Sequence, residues 1–348
     1  MSPISLLLLS TLFSTIPTTP LAHATVDGPY HVIRTVKVGG DGGFDYVYAD
    51  GAGRRLYVAR SGAGNAARVN VFNLDTLEAA GEISNTRAHG AAVDPKSHHG
   101  FSSSSPMAMW DTKTMSVIKT IEVQGSPDGL LGDPSAQYIY VLSHRAPNVT
   151  VINAKDGTIA KTIDIGGAPE QAAVDGKGHL YIDIEDKGSV AVIDTKTLAM
   201  TTSYSLGEGK GGNAGLALDA RNHVLFVACR EPASMVMVDS ITGKVLGDLP
   251  ISPGCDGAAF NPKTGECFSS QGDGTLTIIK ETSPKTFVVE QTVKTMVGAK
   301  TLTLDPKTGH IFLIAAEYGP ATGAPSTNGR QRRGPMIPGS FSIIEVGK

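Results

Sequence analysis

Apolar positions along this chain come in short runs, each broken by a turn, and the runs recur in a fixed order. An Asp or Asn closes one run, and an aromatic residue follows about seven positions later. The pairs are Asp50/Tyr57, Asp94/Phe101, Asp133/Tyr140, Asp175/Tyr181, Asp219/Phe226, Asn261/Phe268 and Asp305/Phe312, with successive aromatics 39 to 45 residues apart. Within one unit the pattern reads as four strands. Ala172-Ala173-Val174 leads into Asp175, and a polar turn then precedes Leu180-Tyr181-Ile182. The alternating run Val190-Ala191-Val192-Ile193 follows, and a last strand falls near residues 201–206. Other units repeat the end of that third strand as Trp110-Asp111-Thr112, Ile152-Asn153-Ala154 and Val238-Asp239-Ser240. Four short strands per ~42 residues is the period of a propeller blade. The pattern therefore predicts an all-β, seven-bladed propeller of four-stranded blades.

The two ends of the pattern complete each other. The seventh unit supplies three strands, near residues 301–304, 311–314 and 341–346. The run His31-Val32-Ile33-Arg34-Thr35-Val36-Lys37-Val38 fits the missing fourth. Pairing the two would close the ring and remove its open edges. Residues 25–348 are thus expected to form a single propeller domain, acting as a monomer.

Composition supports turns over helices. The 348 residues include 41 Gly and 20 Pro, and each interior glycine weakens a helix by roughly 1 kcal/mol. With 41% hydrophobic residues the chain can bury a sizeable core, which argues against disorder. A net charge of −3 and a pI near 6.3 provide no global basic field for nucleic acid. Three cysteines are too few for a disulfide scaffold. Residues 1–24 read as an export signal: an apolar stretch from Leu6 to Phe13 and a small-residue cleavage pattern at Ala22-His23-Ala24. That stretch is too short for a membrane span, and no other is expected. The mature protein is expected to be periplasmic or secreted.

The blade motifs resemble those of the YVTN-repeat propellers of the YncE type, a bacterial exported family. The matching motifs include Arg55-Leu56-Tyr57-Val58-Ala59, Tyr138-Ile139-Tyr140-Val141, Val151-Ile152-Asn153, Val192-Ile193-Asp194-Thr195, Gly272-Asp273-Gly274-Thr275-Leu276 and Pro338-Gly339-Ser340-Phe341. The resemblance covers nearly all of the mature chain and implies the fold and export. For function it implies only a range: DNA binding, metal or cofactor sites, or ring-opening chemistry. Fold-level likeness does not choose among them.

The repeat register itself locates a site. Five positions before each repeated Asp or Asn stand Asp45, His89, Asp128, Glu170, Ala214, Asp256 and Lys300. Six of these seven are ionisable, at positions expected to ring one mouth of the central channel. Carboxylates there suit Ca²⁺ or Mg²⁺, and His89 adds Mn²⁺ or Zn²⁺. Asp45, His89, Asp128, Glu170 and Asp256 are therefore the candidate metal ligands, with His89, Asp128 and Glu170 the candidate catalytic groups. Solvated charges in a wet channel are the alternative.

A second tier on the same face follows the second strand of each blade. Arg60, His144, Arg145 and Arg230, with Lys300 from the ring, are candidates for gripping an anionic ligand, arginine bidentately. Glu185 falls in the same tier. His99, His179, His223 and His310, by contrast, fall at the opposite mouth, and the pair His98-His99 goes with them. Cys229 and Cys255 lie on the ring face in neighbouring blades, where a disulfide or two free thiols are both open; Cys267 lies near the far side. One loop, from Glu317 to Gly339, exceeds the repeat by about 22 residues and carries Arg330, Arg332 and Arg333.

No Gly-x-Ser-x-Gly elbow, phosphate-binding loop or zinc-protease helix motif is present. Three readings remain. One is a small-molecule, ion or protein partner bound at the channel mouth. The second is a metal-assisted hydrolase or lyase acting on a lactone or similar ester. The third is nucleic-acid or polyanion binding through Arg60, Arg230 and the 330–333 cluster.

Overall fold

The aromatic of each repeat is buried between two blades, and that placement sets the architecture. In the computed structural model, which describes residues 28–62, 67–321 and 334–348, seven antiparallel sheets of four strands succeed one another. Within six blades the strands pair in sequence order, inner to outer. Seven apolar clusters fill the interfaces between neighbouring blades. Tyr57, Phe101, Tyr140, Tyr181, Phe226, Phe268 and Phe312 each sit in one of them, at 3% exposure or less. An aromatic carries the largest apolar area available to a strand position, so one per blade suffices to seal each wedge.

The repeated Asp or Asn does a different job. Its carboxylate or amide oxygen accepts backbone N–H groups two or three residues on, as from Ala52 and Gly53 at Asp50, Ser135 at Asp133, Lys177 at Asp175 and Lys263 at Asn261. These are Asx turns that fix the hairpin between the first and second strands. The distance from this turn to the aromatic is a hairpin dimension, which explains its constancy along the sequence.

Closure occurs as the ends of the pattern suggested. His31–Lys37 pairs antiparallel with Ser342–Gly347, making the outer strand of the blade that also holds Ile311–Ala315 and Leu302–Leu304. Arg34 Nε donates to Glu345 Oε2 at 2.5 Å, and His310 Nδ1 lies 2.7 Å from Glu345 Oε1. Tyr30 adds a backbone clasp, its N–H and C=O both bonded to the Gln291 amide at 3.0 and 2.7 Å. Its hydroxyl, with Lys280 and Lys348, meets the buried Glu266.

Among the described residues no helix is long and apolar enough to cross a membrane. The leader, residues 1–24, and the arginines Arg330, Arg332 and Arg333 lie outside the described residues. The base of the long loop is within them: Tyr318 pairs with Met336, and Ile337 N donates to Glu317 O.

Candidate functional site

Five of the seven inner strands are irregular at the position they present to the channel mouth. The pairing register slips across Asp45 (Phe44 to Val47), Asp128 (Pro127 to Leu130), Glu170 (Pro169 to Ala172), Ala214 (Asn213 to Gly215) and Asp256 (Cys255 to Ala258). A bulge takes a residue out of the ladder and re-aims its side chain. His89 and Lys300 stand just ahead of the inner strands Ala91–Asp94 and Leu302–Leu304.

The side chains so delivered meet as one chain of charges. His89 Nδ1 lies 2.9 Å from Asp45 Oδ2 and 3.1 Å from Asp128 Oδ1. Lys300 Nζ is 3.8 Å from Asp45 Oδ1 and is paired with Asp256. Arg230 bridges Asp256 and Glu185 and donates through Nε to Cys255 O at 2.9 Å. Its side chain occupies the sector where Ala214 offers no charge. His144 Nε2 then lies 3.1 Å from both Glu185 Oε2 and Glu170 Oε2. Among the described residues two groups have donor atoms all within 4.8 Å of one another and could hold a metal ion: Asp45, His89 and Asp128, and Asp128, His144 and Glu170.

Electrostatics divides the mouth. Burial, reinforced by Glu170 and Asp45, pushes the Asp128 carboxyl up to about 6. The close carboxylates of Glu170 and Glu185 raise His144 to about 10, and Asp45 raises His89. Glu185 is held low by His144 and by Arg230. On the other side burial works against the Lys300 ammonium, but Asp256 and Asp45 more than offset it.

The ring has a floor. Tyr46 reaches from blade one across the channel to blade four, its hydroxyl donating to Glu170 Oε1 at 3.2 Å. Gln171 reaches the other way: its Oε1 accepts from Leu216 N and Ala258 N at 2.8 and 3.1 Å. The fully buried Asp183 fixes Gln171 by accepting its backbone N–H at 2.6 Å, and burial holds that carboxyl well above the usual range. Below lies a cavity of about 160 Å³ lined by apolar inner-strand residues such as Leu130, Ala172 and Leu302. The mouth is a cup with a polar rim rather than an open pore.

Tyr46, Gln171 and Asp183 were not singled out from sequence, though a signal exists. The residue after the ring position is Gly90, Gly129, Gly215 or Gly257 in four blades. A Cβ on Gly129 would stand 2.6 Å from Glu170 O, and one on Gly215 2.8 Å from the Gly257 carbonyl carbon. Tyr46 and Gln171 break this glycine pattern because they occupy the space the glycines leave. Asp183 likewise replaces the Ala, Ser, Leu or Ile found two residues past the aromatic in the other blades.

Arg60 requires a correction. It is fully buried, away from the ring, and stacks on Phe341 with Cζ 3.9 Å from the ring centroid. Its guanidinium donates to the carbonyls of Gly39, Gly40, Asp41, Gly42 and Gly43 at 3.0–3.3 Å. It organises the loop into blade one and is not available to an anionic ligand. Arg230 is also engaged, between two carboxylates. The three cysteines are free and buried, and burial raises Cys229 and Cys255 to about 12. At the opposite mouth His179 pairs with Asp175 at 2.7 Å and His99 Nδ1 meets Ala154 O at 3.0 Å, both structural contacts.

No protein-family model matches the chain, and no curated protein matches it either. Solved structures do. A chain of the Kuenenia stuttgartiensis hydrazine synthase superposes with a TM-score of 0.68 at 16% identity, covering 85% of this chain and 96% of that one. A chain from a crystal structure of the mitotic checkpoint complex gives a TM-score of 0.68 at 11% identity, with 89% and 95% covered. At such identities the likeness establishes the seven-bladed propeller fold alone.

Proposed function

We propose that the protein binds a divalent cation in the cup at the channel mouth, through the arc Asp45, His89, Asp128, His144 and Glu170. The observation that carries this is the uneven distribution of permanent cations. Arg230 and Lys300 both lie against Asp256, whereas among the described residues the charged groups around Asp128 are the imidazoles of His89 and His144 and the carboxylates of Glu170 and Asp45. A half-buried carboxylate without a permanent counterion is disfavoured unless a proton or a metal supplies the charge. One imidazole in each group favours Mn²⁺ or Zn²⁺ over Ca²⁺ and Mg²⁺, which prefer all-oxygen sites.

Melting of the metal-stripped protein with and without each cation tests the reading. Mn²⁺ or Zn²⁺ should raise the melting temperature, and the rise should vanish in Asp128→Asn and shrink in His89→Gln. No rise with any of the four cations would refute it.

One observation favours a catalytic extension. A polar cleft of about 260 Å³, lined by Arg87, Ser104, Ser105, Gly125, Ser126 and Pro127, runs out from His89 between blades two and three. A lactone or ester lying there would present its carbonyl to a cation at His89, and polarisation of that carbonyl is the established use of such a site. Hydrolysis that depends on Mn²⁺ or Zn²⁺ and is lost in Asp128→Asn would support this extension. The polyanion reading loses Arg60 and Arg230, which have internal partners, and keeps only Arg330, Arg332 and Arg333, outside the described residues. Export and membership of the YVTN-repeat propellers remain part of the proposal, on the leader and blade motifs; the mass of the mature protein tests cleavage after Ala24.

A further inference from the structure

We infer that the cup is a two-cation centre in which Asp128 is the shared, bridging ligand. One cation would take Asp45, His89 and Asp128, and the other Asp128, His144 and Glu170. This rests on the cation-binding reading above and goes beyond it in stoichiometry and in the role of each ligand.

Three features of the geometry converge. First, the two ligand groups overlap in Asp128 alone, and each contributes one imidazole and one further carboxylate. Second, each imidazole nitrogen faces two carboxylate oxygens at hydrogen-bond distance: His89 Nδ1 those of Asp45 and Asp128 at 2.9 and 3.1 Å, and His144 Nε2 those of Glu170 and, from just outside the second group, Glu185, both at 3.1 Å. A ring nitrogen has one proton or one lone pair, so it cannot serve two acceptors well. The buried Nε2 of His144 in fact makes no well-aligned hydrogen bond to either carboxylate. A cation at each nitrogen would use its lone pair together with the two carboxylates of that group, whose ligand atoms all lie within 4.8 Å of one another.

Third, the outer carboxylates are braced and the shared one is not. Glu170 turns Oε1 to the Tyr46 hydroxyl and Oε2 toward His144. Asp45 turns Oδ1 toward Lys300 and Oδ2 toward His89. Each thus has one oxygen oriented by a protein group and one facing the imidazole, as terminal metal ligands commonly do. Among the described residues Asp128 has a single polar partner, His89 at Oδ1, which leaves Oδ2 for the second group. A carboxylate that offers one oxygen to each of two ions holds them roughly 3.5–4 Å apart. Asp45, Asp128 and Glu170 supply three negative charges to the two ions, and Glu185, already paired with Arg230, borders the second.

Titration calorimetry of the metal-stripped full chain with Mn²⁺, read together with the electron paramagnetic resonance of the loaded protein, tests the inference. Two Mn²⁺ per chain and a spectrum of an exchange-coupled pair are expected. His144→Gln should leave one ion with an isolated-ion spectrum, and His89→Gln should do the same from the other side. Asp128→Asn should abolish the coupled signal while thermal melting shows the variant folded. A wild-type stoichiometry of one, or two ions without coupling, would overturn the bridged centre and leave single-cation binding standing. No Mn²⁺ binding at all would overturn both.

Discussion

Asp256 and Asp128 occupy the same repeat position in blades six and three, at equivalent bulges of the inner strand, yet their surroundings are opposites. Asp256 is 5% exposed and lies between Arg230 and Lys300, two groups that stay charged at any physiological pH. Asp128 has His89 on one side and Glu170 on the other, and its carboxyl is held near 6. The fold delivers both in the same way, so the difference is one of neighbours rather than backbone. One half of the mouth is an internally neutralised structural brace. The other concentrates carboxylates around two imidazoles, in two groups whose atoms could hold a cation.

Removing the brace should have the largest effect. Asp256→Ala leaves Arg230 and Lys300 crowded without their common counterion, and breaking such a buried network costs about 3 kcal/mol. Chemical denaturation should register that loss. A stability equal to wild type would mean that the two halves do not differ as described.

Asp128→Asn should act in the reverse direction. A carboxyl whose folded-state pKa is raised contributes stability below its unfolded value of about 4 and loses it as pH rises through about 6. At neutral pH the metal-free wild type therefore carries a penalty, and the variant should be more stable by about 1–3 kcal/mol. The advantage should fade as the pH is lowered from 7 to 4. Cation uptake should follow the same group, weakening below pH 6 as protons compete for the ligands. A variant less stable than wild type at pH 7 in the absence of metal would contradict this.

Smaller effects sharpen the boundary between the halves. Tyr46→Phe removes the hydroxyl that orients Glu170 and should cost about 1 kcal/mol while reducing the cation response in melting. His179→Ala, at the opposite mouth, should change stability by no more than about 0.5 kcal/mol and leave that response intact. A response lost in His179→Ala would place the cation elsewhere.

The division between what the sequence disclosed and what it hid follows from locality. Asp175 and Tyr181 are a hairpin apart, so the turn cap and the interface aromatic recur at readable spacing. The ring positions are equally legible, because Asp45, Asp128 and Glu170 keep a constant offset from their turns. Contacts that cross blades are not. Nothing near Tyr46 in the sequence says that its hydroxyl ends 124 residues away, at Glu170. Arg60 falls one position short of the register of His144 and Arg230, level with the buried Ser143 and Cys229, and the Gly-rich segment before it folds back and supplies a set of carbonyls. The register gave its position along the strand, and the loop gave its partner.

Anomalous diffraction from crystals grown with Mn²⁺ tests the central claim most directly. Density within coordination distance of His89 and Asp128, with a second peak toward His144 and Glu170, is the result this account predicts. A mouth without anomalous density at saturating Mn²⁺, with the His89 and Asp128 side chains in direct contact, would contradict it.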